Sequence, residues 1–159
     1  MRIAQRTPTI ISKLPEVSTG ALRSLLAAFP KADGYQVVVK PLKFRTRPHL
    51  AAITLFEERR ITLQVPQPFR PFRERVQYGA RRVPGKGLRF RWLSEDVTFR
   101  TRQDVIRFLY CHEWYHYYLK EILGKKSSAE TACDRFALWN YRRRRVTLED
   151  ARRALRRSA

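Results

Sequence analysis

Only two cysteines, Cys111 and Cys133, occur among the 159 residues. That is too few for a disulfide framework, and a reducing, cytoplasmic or nucleoid-associated setting is expected. Acidic residues are scarce too: 14 Asp and Glu face 34 Lys and Arg, which sets the net charge at +20. No apolar run approaches the roughly 20 residues of a membrane span, so no transmembrane segment is expected. The first residues, MRIAQRTPTIISKLP, lack the apolar core and small-residue cleavage site of a secretory signal. They are basic and hold no acid before Glu16, a composition that a transit peptide shares. Histidine is confined to His49, His112 and His116.

What remains is a folding composition. Hydrophobic residues make up 43% and aromatics 12%, which argues against wholesale disorder, and the length suits one domain with its own core. The charge is uneven along the chain: residues 1–40 carry +4, 41–102 carry +10, 103–141 are neutral and 142–159 carry +6. Arg supplies 26 of the 34 basic residues. Its planar fork contacts phosphate bidentately, so the excess points to nucleic acid as a partner.

Ser18 and Thr19 are suitable caps for a helix over Gly20 to Phe29, stopped by Pro30. The β-branched run within Tyr35 to Phe44 predicts a strand, and residues 52–56 and 61–65 predict a hairpin around a charged turn. Residues 66–87 hold four prolines and three glycines and read as a long loop with a helical turn near Glu74. In it Phe69, Phe72 and Tyr78 alternate with Arg70, Arg73, Arg75, Arg81 and Arg82, an interleaving that suits single-stranded nucleic acid or RNA. Leu88, Phe90 and Trp92 alternate with Arg89 and Arg91, as in a half-buried strand. Thr101-x-x-Asp104 opens a helix to about Leu123, with Gly124 beyond its end. A second helix is expected from Ser128 to Arg145, and Thr147-x-x-Asp150 opens a third. Arg142, Arg143, Arg144 and Arg145, with Arg152, Arg153, Arg156 and Arg157, form a candidate phosphate-binding tail.

The fold class is α+β: an N-terminal helix, a small mostly antiparallel sheet, the long helix packed on the one that follows it, and a basic C-terminal helix. Residues 1–145 are taken as one domain and 146–159 as a basic helical tail.

Chemistry is concentrated on the long helix, in His112-Glu113-Trp114-Tyr115-His116. Residues i and i+4 share a helix face, so both imidazoles can reach one metal. Two neutral nitrogens suit Zn²⁺, which needs a third protein ligand and an open position to be catalytic. Glu113 is turned about 100° from His112 and stands beside the metal, where a carboxylate can accept a proton from water. Tyr115 is a bulky residue next to the metal face. Thirteen residues intervene before Glu130, enough to end one helix and return antiparallel. Glu130 there supplies an anionic oxygen as third ligand. Asp134, one turn on, is placed to receive the outer N–H of a ligating histidine. Cys133 is an alternative ligand but reads better as a buried thiol, and Cys111 likewise.

His112-Glu113-x-x-His116 followed by Glu130-Thr-Ala-Cys-Asp134-Arg-Phe136-Ala137 resembles the gluzincin zinc metallopeptidases. The compact minigluzincin and ImmA/IrrE-type proteins, with a Glu-x-x-Ala-(Asp/Asn)-x-Phe-Ala segment after the first motif, are the nearest in pattern. The resemblance spans residues 85–140 and implies a zinc peptidase fold. In that fold His112, His116 and Glu130 are ligands, Glu113 is the catalytic base and Asp134 supports a ligand. It also implies substrate binding by strand pairing before the active-site helix, with Leu88 to Leu93 as candidate. SprT-like zinc peptidases are similar in charge and layout but typically use a third His downstream, and none follows His116.

The expected function is peptide-bond hydrolysis with Zn²⁺, on a protein or peptide substrate, with a basic surface that associates with nucleic acid. The alternative is a non-enzymatic, Arg-rich nucleic-acid-binding or assembly protein with a structural or vestigial metal site.

Overall fold

Three consecutive valines leave a strand no solvated face, because alternate side chains point to opposite sides and both must be covered. In the computed structural model, which describes residues 9–85, 87, 89–126 and 129–155, Val37, Val38 and Val39 are all buried. Their strand, β2 (Gln36–Leu42), lies inside a four-stranded sheet. It pairs in parallel with β1 (Thr9–Ser12) on one side and with β4 (Arg60–Pro66) on the other. The expected hairpin is present: β3 (Ala51–Leu55) pairs antiparallel with β4 and closes the order β1-β2-β4-β3.

The sheet is therefore mixed, where a mostly antiparallel one was expected. Residues 13–35 form a crossover long enough for parallel pairing. That crossover contains α1 (Thr19–Leu26), capped by Ser18 Oγ, which accepts from the Ala21 N–H at 3.1 Å. Strand β1 was not anticipated, being a four-residue segment in a basic stretch with no alternation to reveal it.

A second correction concerns residues 66–87. Most of this stretch is not loop but β5 (Phe72–Val83), paired antiparallel with β6 (Arg89–Phe99) in a two-stranded ribbon bulged between Gln77 and Gly79. The four prolines all fall outside the strand, at 66, 68, 71 and 84. Within it Phe72 and Val76 turn inward while Arg73 and Arg75 face solvent, an alternation that proline content masked. The far half of the ribbon is not half-buried: Phe90 and Trp92 are 60% and 56% exposed. Leu88 lies outside the described residues.

Helix α2 (Arg102–Tyr117) starts at Thr101, whose Oγ1 accepts from the Asp104 N–H, and runs into a π-helical turn, Tyr118–Ile122. It is buried on nearly every side, with Ile106, Phe108, Leu109, Trp114 and Tyr115 in the core. The hydroxyls of Tyr110 and Tyr117 and the Trp114 indole donate to the carbonyls of Pro30, Asp33 and Lys31, tying α2 to the segment before β2. Helix α3 (Glu130–Asn140) is shorter than the Ser128–Arg145 expected, since four consecutive arginines at 142–145 offer nothing apolar to bury. Ser128 lies outside the described residues. Helix α4 (Leu148–Leu155) follows, and Val146, Ala151 and Ala154 belong to the same core as α2. The segment set apart as a tail thus packs on the body of the protein as far as Leu155. Arg156 and Arg157 are not described. Among the described residues no helix is long and apolar enough to cross a membrane.

Candidate metal centre

The i, i+4 spacing in α2 directs His112 and His116 to one face, and α3 returns across that face. The two imidazole rings stand 5.1 Å apart, centre to centre. Glu130, the first residue of α3, reaches both: its Oε2 is 2.9 Å from His112 Nε2 and its Oε1 is 3.1 Å from His116 Nε2. Asp134, one turn later, meets the opposite edge of the His112 ring, with Oδ1 2.7 Å from Nδ1. One carboxylate therefore bridges both inner nitrogens while another fixes the orientation of one ring. The residue before Glu130, Ala129, is held in the left-handed region at φ 40°, an unusual conformation for a residue with a side chain. Strained backbone of this kind is often concentrated at ligand sites.

The electrostatics follow from these contacts. Burial alone would lower the His112 imidazole, but its hydrogen bonds to Asp134 and Glu130 outweigh burial and push it up to about 10. The bond from His112 holds the Glu130 carboxyl below its ordinary value.

Glu113 is buried apart from its edge on the cleft, which it shares with His116. The Thr54 hydroxyl donates to Glu113 Oε2 at 2.6 Å and lies 3.3 Å from its main-chain carbonyl. Thr54 belongs to β3, and with Ala52 and Ile53 it lines a cleft of about 660 Å³ that also contains Glu113, His116 and Glu130. No signal in the sequence marked Thr54, because it is brought to Glu113 only by the packing of the hairpin on α2. Strand β3 is also the terminal strand of the sheet. The strand edge that lines the cleft with Glu113 and His116 is therefore β3; of the candidate residues 88–93, Phe90 and Trp92 belong to the separate ribbon and line a second cavity that reaches Glu130.

Tyr115 does not crowd the cleft. It is fully buried on the far side of α2, its ring 4.8 Å from that of Phe136, and its hydroxyl donates to the Ala151 carbonyl at 2.8 Å. Trp114 and Tyr118 stack beside it in the core.

The donor set fits a zinc ion. Two imidazole nitrogens and a carboxylate oxygen are donors that zinc accepts. Glu130 brings a separate oxygen to each imidazole nitrogen, at 2.9 and 3.1 Å, so one carboxylate and both histidines are positioned to share a cation. Cys133 offers a second donor: ligand atoms of His112, His116 and Cys133 lie within 4.8 Å of one another. The thiol is fully buried, and burial pushes it up, with the carboxylates of Glu130, Glu113 and Asp134 adding to the effect.

The arginines singled out for nucleic acid are spread over several elements. Arg70 is exposed and lies over the Phe44 ring. Arg73, Arg75, Arg81 and Arg82 are exposed along β5, where Arg75 pairs with Asp96 and Arg81 stands opposite Arg91. Arg142 lies over Tyr141, and Arg143 pairs with the buried Asp150 at 2.6 Å, a role in the fold. Arg144 and Arg145 are exposed. His49 sits in a loop, its Nδ1 3.4 Å from the Arg47 carbonyl, away from the metal centre's contacts.

No protein-family model, curated protein or solved structure matches the chain.

Proposed function

We propose that the protein is a zinc-dependent peptidase that hydrolyses peptide bonds with water. The observation that carries this reading is the convergence of His112, His116 and Glu130 beside an oriented carboxylate, Glu113, at the border of an edge strand. In it, His112, His116 and Glu130 hold the zinc and Asp134 keeps His112 in the tautomer whose Nε2 faces inward. Zinc bound there would supply Lewis acidity toward a substrate carbonyl and a water molecule. Thr54 engages Glu113 Oε2, which leaves Oε1 to accept the proton of the attacking water. The same carboxyl group then delivers that proton to the departing amine nitrogen. An extended substrate would add to β3 through main-chain hydrogen bonds, placing its scissile carbonyl near His116 and Glu113. The basic surface outside the neutral stretch 103–141 would bring the enzyme to nucleic acid.

The decisive experiment combines metal analysis with hydrolysis of casein or peptides by wild type and Glu113→Gln. Stoichiometric zinc and activity abolished in the variant are expected. Well-folded protein without stoichiometric metal, or equal activity in the variant, would refute the proposal.

A second reading is favoured by Cys133. If its sulfur joined both histidines and Glu130, four protein ligands would close the site. The protein would then be a non-enzymatic, Arg-rich nucleic-acid-binding protein with a structural metal. Its affinity for nucleic acid would decline steeply with added salt, as phosphate contact requires.

A further inference from the structure

The cleft bordered by β3 carries a charge opposite to that of the metal ligands. Lys120, Lys125 and Lys126 line it together with Ala52, Ile53 and Phe56. In a chain with 26 Arg and only eight Lys, three lysines at one opening mark a local choice of side chain. Lys120 and Lys125 are held in place by the fold. Lys120 Nζ lies 4.2 Å from the centre of the Phe56 ring, which draws it toward the β3–β4 hairpin. Gly124 takes φ +65°, a turn suited to glycine, and its N–H donates to the Lys120 carbonyl. The Lys125 N–H donates to the Leu119 carbonyl at 2.8 Å, so the loop is anchored to the end of the π turn.

These ammonium groups have no carboxylate partner among the described residues. The acids in the same cleft are already engaged, Glu113 by Thr54 and Glu130 by the two histidines. Three cations without counter-ions therefore face a space of about 660 Å³ beside the metal centre.

We propose that this cleft binds a polypeptide whose Asp or Glu side chains lie against Lys120, Lys125 and Lys126. The proposal rests on the peptidase reading for the fate of the ligand, not for its binding. Two features favour a polypeptide over a phosphate chain. The edge of β3 offers main-chain pairing, and Ile53, 52% exposed, with Phe56 gives an apolar floor that phosphates do not need. Lysine is also a compact point charge, whereas the fork that matches phosphate is arginine's, which this chain uses almost everywhere else.

The test uses full-length Glu113→Gln protein and fluorescein-labelled peptides of equal length rich in Glu, Gln or Lys, followed by anisotropy. The Glu peptide should bind tightest. A Lys125→Glu, Lys126→Glu double variant should weaken it by about tenfold or more, as for close charge pairs at an interface. Reversal of Arg144 and Arg145, which do not line the cleft, should change affinity less than about twofold, because exposed charges outside direct contact are screened by salt. Both pairs are exposed, and circular dichroism of each variant checks that the fold persists.

Equal affinity for the Glu and Gln peptides would overturn the proposal, as would equal losses in the two double variants. Lysine-dependent binding of a single-stranded oligonucleotide with no peptide binding would overturn it in favour of a phosphate ligand. Peptide hydrolysis by wild type without preference for acidic sequences would leave the peptidase reading standing and remove this one. Lysine-dependent binding of the Glu peptide without any hydrolysis would support the cleft and end the peptidase reading.

Discussion

The identity of the third ligand separates an open, catalytic centre from a closed, structural one, and two alanine substitutions decide it. Glu130 and Cys133 sit one turn apart on α3. The Glu130 oxygens lie 2.9 and 3.1 Å from the histidine nitrogens, whereas the Cys133 sulfur belongs to a group bounded only within 4.8 Å. The thiol is also buried, with carboxylates around it, and both disfavour the thiolate that binds metal. A structural zinc site contributes ~10–16 kcal/mol over four ligands, so one ligand carries roughly 2.5–4 kcal/mol, or about 70- to 900-fold in affinity. Glu130→Ala should weaken zinc by that factor. Cys133→Ala should leave zinc affinity nearly unchanged and cost about 1 kcal/mol of stability through the small cavity it leaves. Competition with a chromogenic chelator measures both. Cobalt substitution adds an independent readout, because a thiolate ligand produces a charge-transfer band that His and Glu do not. Loss of metal in Cys133→Ala with retention in Glu130→Ala, or a thiolate band in the cobalt protein, would refute the assignment.

Other substitutions test how the ligands are held. Asp134→Asn keeps a hydrogen-bond acceptor but loses the charge, so zinc affinity should fall about fivefold; Asp134→Ala should lose about 10- to 100-fold in the same chelator assay. Thr54→Val removes the hydroxyl that orients Glu113, and peptide hydrolysis should slow about tenfold while zinc affinity stays constant. Because His112 is raised to about 10 in the metal-free protein, zinc must displace a proton at neutral pH, and affinity should rise with pH toward 10. Calorimetry in two buffers of different ionisation enthalpy would detect the released proton; no buffer dependence would contradict it. Asp150 is buried, yet it accepts from the Thr147 N–H and from Arg143 Nη1, and these bonds outweigh burial and lower its carboxyl. A lowered value stabilises the fold above the ordinary carboxylate range and is lost on acidification. Asp150→Asn should therefore cost about 1–2 kcal/mol in urea unfolding at pH 7, a gap that narrows below pH ~4.

The sequence made α2, α3 and the hairpin legible because their signals are local. Thr101 and Ser18 are caps whose partners lie three residues on, and the His112–His116 and Glu130–Asp134 spacings are each one helical turn. What stayed hidden depends on contacts distant in sequence. Thr54 meets Glu113 across 59 residues, and β1 meets β2 across a crossover. The ribbon was hidden for a different reason. Prolines flanking β5 gave it a loop's composition, and its exposed end, with Phe90 and Trp92 uncovered, gave no burial pattern to detect. Tyr115 shows the limit of reading a helix by its face: its position beside the histidines was legible, but the helices that cover it were not.

The net charge of +20 creates a field that opposes a divalent cation, and a metal held at these histidines would have to overcome it. Distance settles the balance. Glu113, Glu130 and Asp134 surround the two histidines, two of them at hydrogen-bond range, in a partly buried setting where screening is weak. The exposed arginines of the ribbon and of residues 142–145 act through solvent, where salt attenuates charges beyond about 8–10 Å. Apart from Arg102, helices α2 and α3 lie in the neutral stretch 103–141, and three of its five acids are at the site. Local carboxylates can therefore hold a cation while the distant surface attracts anions. The three lysines at the cleft stand between these regimes, close enough to the centre to meet whatever is bound there and open enough to draw an acidic chain toward it.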